Sequence, residues 1–321
     1  MGTNNYQKKN RLPGTDRLPL ISRFTSTILL ILFFIPHGLE AASYLDSITE
    51  DEEGKNLYLP SFVTTDPVMK EIYIIDGRGR IIIYTSDLFP VHTLGKRDGV
   101  ESPQSLTVDA DGNVYVIQTA TGTNTRHRVS VFNARLKWER DIYWDNFDGS
   151  DSFVPNRIAR DKKGDIYISG TYFPGILIMD DQGHVLDIMS PETRGRKVNV
   201  NVVNIDEAGN IYIVSEEEGD IYVYDENKKF LFEFGEKGGS SGKLSRPKGI
   251  AVDNNIGKIY VADYMRFTIL VYDTAGKYLS EFGGMGWGEG WFQYPTDVAV
   301  DSAGRIMIAD LFNHRDRKSV V

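Results

Sequence analysis

The chain has no cysteine in 321 residues. Disulfides, thiolate metal centres and thioether-linked haem are therefore excluded. Histidine is scarce, five in all. His92, His127, His184 and His314 fall at dissimilar places and give no hint of the three or four converging ligands that zinc requires. Long apolar runs are lacking too. The main one, Phe24–Pro36, has 13 residues, short of the ~20 that span a bilayer. No long amphipathic helical pattern occurs. Neither a Gly-x-Ser-x-Gly elbow nor a phosphate-cradling glycine loop is present. No catalytic constellation is legible, and no cofactor or metal is expected.

What is present is repetition. A short apolar strand ends in Asp, a tight turn follows, and a second strand of the type Ile-Tyr-Ile/Val comes next. The copies are Val63–Ile74, Leu106–Val116, Ile158–Ile168, Val203–Ile213, Ile250–Val261 and Val298–Ile308. Their Asp residues stand at 66, 109, 161, 206, 253 and 301, at spacings of 43, 52, 45, 47 and 48. A period of about 40–50 residues built from short strands is that of a β-propeller. The fold class is therefore all-β, a six-bladed propeller with four strands, a to d, in each blade. The repeat overrides the two-domain expectation from length.

The turns rhyme as well. Asp109–Gly112, Asp161–Gly164, Asp206–Gly209 and Asp301–Gly304 pair an amide-binding carboxylate with a residue free to adopt positive φ. Before strand a, Val100-Glu-Ser-Pro103, Leu244-Ser-Arg-Pro247 and Phe292-Gln-Tyr-Pro295 place an apolar residue three before Pro. That residue is expected to plug the gap between neighbouring blades.

These residues carry a family resemblance. Pro247–Asp253, Lys258–Asp263 and Ala309–Arg315, with the triplet Asn313-His314-Arg315, resemble the NHL-repeat family. The resemblance covers about residues 44–321 and is strongest in the last two repeats. It implies a six-bladed ring. Similar propellers include peptidyl-hydroxyglycine amidating lyases and gluconolactonase-like hydrolases, with a metal at the channel mouth. Their ligand sets cannot be matched here residue by residue.

Residues 1–43 read as a segment apart from the ring. Lys8, Lys9, Arg11, Arg17 and Arg23 precede the apolar run, and Ala41-Ala42-Ser43 follows it. This is the pattern of a secretory signal peptide, with an uncleaved membrane anchor as the alternative. The expected domains are thus 1–43 as signal or anchor and 44–321 as the propeller, exported to the periplasm or beyond. Residues 44–321 hold 31 basic and 43 acidic residues, a net −12, which argues against nucleic acid as partner. Ring closure is expected from Tyr44–Ile48, serving as the outer strand of the last blade, with Arg317–Val321 as its strand c.

Candidate contacts lie on the b–c and d–a loops, which share the top face. The d–a loop Gly283–Tyr294 holds Trp287, Trp291 and Tyr294 among glycines, a composition suited to binding. Arg157 and Asp297 occupy equivalent strand-a positions in opposite blades and either line the channel or pair with neighbours. Arg126, with His127 and Arg128, and Arg194 and Arg196, with Lys197, form basic clusters suited to a carboxylate or phosphate. Asp76 with Arg80, Asp263 with Arg266 and Asp310 with Arg315 are expected as structural pairs within a blade. Glu216–Glu218 with Asp220 suggest either a solvated turn or a cation site. The expected function is non-catalytic binding of a protein or envelope component through the top face, by a monomer that touches membrane only through its N-terminal segment. The alternative is a propeller lyase or lactonase-like hydrolase.

Overall fold

The computed structural model describes Met1, the backbone of residues 30–34, and residues 42–312 apart from Pro67, Tyr172 and Arg194. Six four-stranded antiparallel sheets are arranged as the blades of a propeller. Blade 1 comprises Phe62–Thr65, Ile72–Asp76, Arg80–Tyr84 and Pro90–Leu94. Blade 2 comprises Pro103–Val108, Val114–Gln118, Arg128–Phe132 and Trp138–Ile142. Blade 3 runs through Val154–Arg160, Ile166–Thr171, Ile176–Met179 and Val185–Met189. Blade 4 runs through Val202–Ile205, Ile211–Ser215, Asp220–Tyr224 and Phe230–Gly235. Blade 5 holds Pro247–Asp253, Lys258–Asp263, Thr268–Asp273 and Tyr278–Gly283.

Blade 6 is assembled from both parts of the chain. Pro295–Val300 and Arg305–Asp310 supply strands a and b, Leu30–Phe34 strand c, and Ser43–Ile48 strand d. The expected outer strand at Tyr44–Ile48 is therefore in place, but its partner differs. Leu30 pairs with Ile48 on one side and Ala309 on the other. The expected boundary at residue 43 thus falls inside the blade. The sequence Leu-Ile-Leu-Phe-Phe has the all-apolar, β-prone character of the other c strands, such as Ile-Leu-Ile-Met in blade 3 and Thr-Ile-Leu-Val-Tyr in blade 5. Strands covered on both faces favour continuous apolar runs over alternation. The tail Arg317–Val321 lies outside the described residues.

The core consists of six apolar clusters, each between neighbouring blades. The expected plugs are in them: Val100, Leu244 and Phe292 are fully buried. The a–b turns also behave as expected. Asp109 accepts amide bonds from Asp111 and Asn113, Asp161 from Lys163 and Asp165, and Asp301 from Ala303 and Arg305. Gly112, Gly164, Gly209 and Gly304 all have positive φ.

One expected pairing needs correction. Asp76 does bind Arg80 within blade 1, at 2.7 Å. Asp263, however, accepts four backbone amides, from Ser245, Arg246, Met265 and Arg266. The Arg266 guanidinium turns instead to Glu281, at 2.7 and 2.8 Å. A buried carboxylate among converging amides is already satisfied, which frees the arginine for the neighbouring strand. Asp310 likewise binds the Gln293 amide, and Arg315 lies outside the described residues.

Candidate functional site

The a strands surround a central channel, and two of its residues divide it. Arg157 from blade 3 and Asp297 from blade 6 meet across the axis at 3.6 Å. The Arg157 guanidinium also donates to the carbonyls of Gln104, Lys248 and Thr296, at 3.3–3.4 Å, and stacks over the Phe62 ring. One side chain thereby ties its own blade to blades 1, 2, 5 and 6. Its Nε has no hydrogen-bond partner. Asp297 is buried and accepts the Val63 amide at 3.2 Å. Burial pushes its carboxyl up to about 6, against the opposing pull of the Arg157 charge and the Val63 and Val298 amides. Arg157 and Asp297 were the charged strand-a candidates from sequence, and the structure brings them together as the channel's partition.

Below the partition, the channel forms a hollow of about 310 Å³ lined by strand-a residues. Above it, the top face opens into two adjoining hollows of about 370 and 610 Å³ that share Asn156, Arg246 and Lys248. The smaller is floored by Arg157 and walled by Tyr264. The larger adds Asn199, Asn201, Glu216, Glu217 and Lys237. Glu216 is held by Lys248 at 2.5 Å and Arg246 at 3.3 Å. Lys237 donates to the Glu216 carbonyl at 2.6 Å, and burial lowers its pKa. Asn156 donates to the Asn201 carbonyl and Asn201 to that of Pro247, linking blades 3, 4 and 5. The cleft thus presents four cations, Arg157, Lys237, Arg246 and Lys248, against the carboxylates Glu216 and Glu217 and, beneath Arg157, its partner Asp297, in a chain of net charge −9.

The acidic run resolves accordingly. Glu216 serves as the counter-ion of the cleft, and Glu217 accepts from Asn199 at 3.1 Å. Asp220 is pushed up to about 6 by burial and then by the carboxylates of Glu233, Glu218 and Glu236. Among the described residues, no three or more His, Asp or Glu side chains are grouped to hold a metal ion.

The aromatic loop stands beside the cleft. Tyr294 packs at a tilt against Tyr264, ring centroids 4.7 Å apart, and touches Phe267 and Phe312. Trp287 and Trp291 are half exposed, and Met285, Met265 and Phe312 on the same and adjoining loops are exposed as well. Trp291 lies on its own loop: a Cβ at Gly284 or Gly286 would come within 2.8 or 2.9 Å of it. The remaining sequence candidates sit elsewhere. Arg126 covers the Tyr143 ring at 4.3 Å in blade 2. Arg196 is exposed in a two-residue hairpin, Glu192–Thr193 with Arg196–Lys197. Arg194 lies outside the described residues. Neither Arg126 nor Arg196 lines the cleft. Sequence reasoning missed Arg246, Lys248, Tyr264 and Asn156 as site residues. The signal was available in Leu244-Ser-Arg-Pro-Lys248, where the two cations flank the Pro that opens strand a.

Comparison with known proteins agrees with this architecture. A family described as a 6-bladed beta-propeller (DUF5128) matches residues 244–315. The fold is a β-propeller. A Bacteroides thetaiotaomicron protein of unknown function is similar at 13% identity and TM-score 0.62, covering 88% of each chain. A Bacteroides caccae protein of unknown function is similar at 10% identity and TM-score 0.53, over 79% of this chain and 93% of that one. Virginiamycin B lyase from Staphylococcus aureus is similar at 17% identity and TM-score 0.52, over 78% of this chain and 77% of that one. Such identities speak to fold alone. A search of curated proteins gave no match.

Proposed function

We propose that this propeller is a non-catalytic binding module. Its channel-mouth cleft receives an acidic group of a protein or envelope component, and the Trp287–Trp291 loop covers an apolar group beside it. The carrying observation is the excess of cations in the cleft of an otherwise acidic chain. Such a cleft concentrates and orients anionic partners. Half-exposed tryptophans on the adjoining loop supply contact area of the kind that dominates interfaces.

The test is calorimetric titration with hexaglutamate, with hexaglutamate carrying a terminal Phe, and with hexalysine. Hexaglutamate binds, more weakly at high salt, and hexalysine does not. Replacing Arg246 and Lys248 by Ala weakens binding by roughly tenfold or more, the worth of about one charge-assisted contact. The terminal Phe strengthens binding to the natural chain but not to the Trp287→Ala/Trp291→Ala variant. Equal binding of hexaglutamate and hexalysine contradicts the reading.

The alternative, a lyase or lactonase-like hydrolase with a metal at the channel mouth, draws support from the fold shared with the Staphylococcus aureus lyase. Among the described residues, the cleft's lining offers no histidine and two carboxylates, both engaged, which favours binding over catalysis. The reading also places the ring outside the cytoplasm, on the strength of the basic stretch and apolar run near the N-terminus. Because Leu30–Phe34 pairs in blade 6, it requires that this segment stay attached.

A further inference from the structure

We propose that the outer edge of blade 2 carries a second site, separate from the channel mouth, that binds an oxyanion borne on a ring-shaped body. A cleft of about 620 Å³ lies there, lined by Arg97, Arg128, Lys137, Trp138 and Asp141 among others. It shares no lining residue with the channel-mouth hollows.

The decisive group is Arg128. It is 3% exposed, yet its Nε and one Nη have no hydrogen-bond partner. Its nearest acid is Asp141, at a long 3.5 Å from Nε. That carboxylate is already occupied, accepting from Ser130 Oγ at 2.6 Å, Trp138 Nε1 at 3.2 Å and Tyr143 OH at 3.5 Å. Each of the other two carboxylates of the cleft has a local partner of its own. Asp98 accepts the Gly95 amide, and Glu101 accepts Thr121 Oγ1. Arg97 and Lys137, by contrast, form no ion pair among the described residues. Two buried donor atoms of Arg128 thus lack an acceptor, and leaving a buried cationic donor without one is costly. An oxyanion supplies the missing acceptors, and guanidinium binds carboxylate and phosphate in matching forked geometry. Trp138, 52% exposed beside the cleft, offers a flat face for the body that carries the charge. A sugar acid or sugar phosphate has this chemistry.

The test uses the full chain and four additions: glucuronate, glucose 6-phosphate, glucose, and sodium chloride at matched ionic strength. Glucuronate or glucose 6-phosphate gives saturable heat and a saturable change in tryptophan emission; whichever binds more tightly identifies carboxylate or phosphate as the preferred group. Glucose and chloride give neither. Trp138→Phe abolishes the emission change. Arg97→Ala/Lys137→Ala, both on the surface, weakens binding by about tenfold, and Arg128→Gln abolishes it. Arg246→Ala/Lys248→Ala leaves it unchanged, which separates this site from the channel mouth. The proposal is overturned if neither anion binds by about 10 mM, ten times a millimolar dissociation constant. Undiminished affinity in the Arg97→Ala/Lys137→Ala variant, which does not disturb the buried arginine, overturns it too.

Discussion

Gly249 has no room for a methyl group. A Cβ there would stand 2.4 Å from Asp297 Oδ1 and 2.6 Å from Asp297 Cα. Because backbone must shift to relieve the second contact, Gly249→Ala is expected to cost about 1–3 kcal/mol, read as a lower denaturant midpoint. An unchanged midpoint would mean that blades 5 and 6 are not this close. Asp297 itself makes a pH prediction. Its folded-state value of about 6 exceeds the ~3.9 of an unfolded aspartate. Between those values the folded chain keeps a proton that the unfolded chain has released. Stability from this group is therefore full below pH ~4, falls as pH rises towards 6, and is flat above, a change of roughly 3 kcal/mol in all. Urea unfolding across this range in Asp297→Asn should lose that slope. Asp220→Asn should lose a slope of the same sign, because Asp220 is raised in the same direction, and the double variant should lose both. The sequence reading reached Arg157 and Asp297 through their equivalent positions in opposite blades. It could not reach their pairing, which depends on the width of the channel.

At the scale of elements, the Gly283–Tyr294 loop separates two tryptophans that look alike in sequence. Both are half exposed, but Trp291 lies against Gly284 and Gly286 of its own loop. Trp291→Ala should therefore speed amide hydrogen exchange across the loop. Trp287→Ala should leave global stability within about 0.5 kcal/mol while still weakening partner binding. Equal exchange in the two variants would contradict this division. Turn and plug positions were legible because their chemistry is local: an Asp two to four residues from the amides it binds, an apolar residue three before a Pro. The Arg266–Glu281 pair was not, because it joins the b–c turn to strand d, an approach set by how the strands pair on folding. Nor was the third strand of blade 6. Five apolar residues in a row read equally well as the core of a leader and as a buried strand.

For the whole molecule, that strand is the fastening of the ring. Among the described residues, Ser43–Ile48 joins the hydrogen-bonded ladder of blade 6 through Leu30–Phe34. Removing residues 1–41 should leave the outer strand without its ladder and lower the melting temperature, with broader, less cooperative unfolding. N-terminal sequencing of the natural protein belongs beside that experiment, since cleavage after residue 43 would contradict the strand assignment. The site draws on the same closure. Its floor joins blades 3 and 6, its lining draws on every blade of the ring, and no single repeat contains it, which is why a repeat-by-repeat reading found the ring but not the cleft. The most direct test of the account is amide chemical-shift mapping of hexaglutamate on the full chain. The account predicts perturbations at Asn156, Asn199, Asn201, Glu216, Arg246, Lys248 and Tyr264. Shifts confined to the lower channel or scattered over the surface would contradict it.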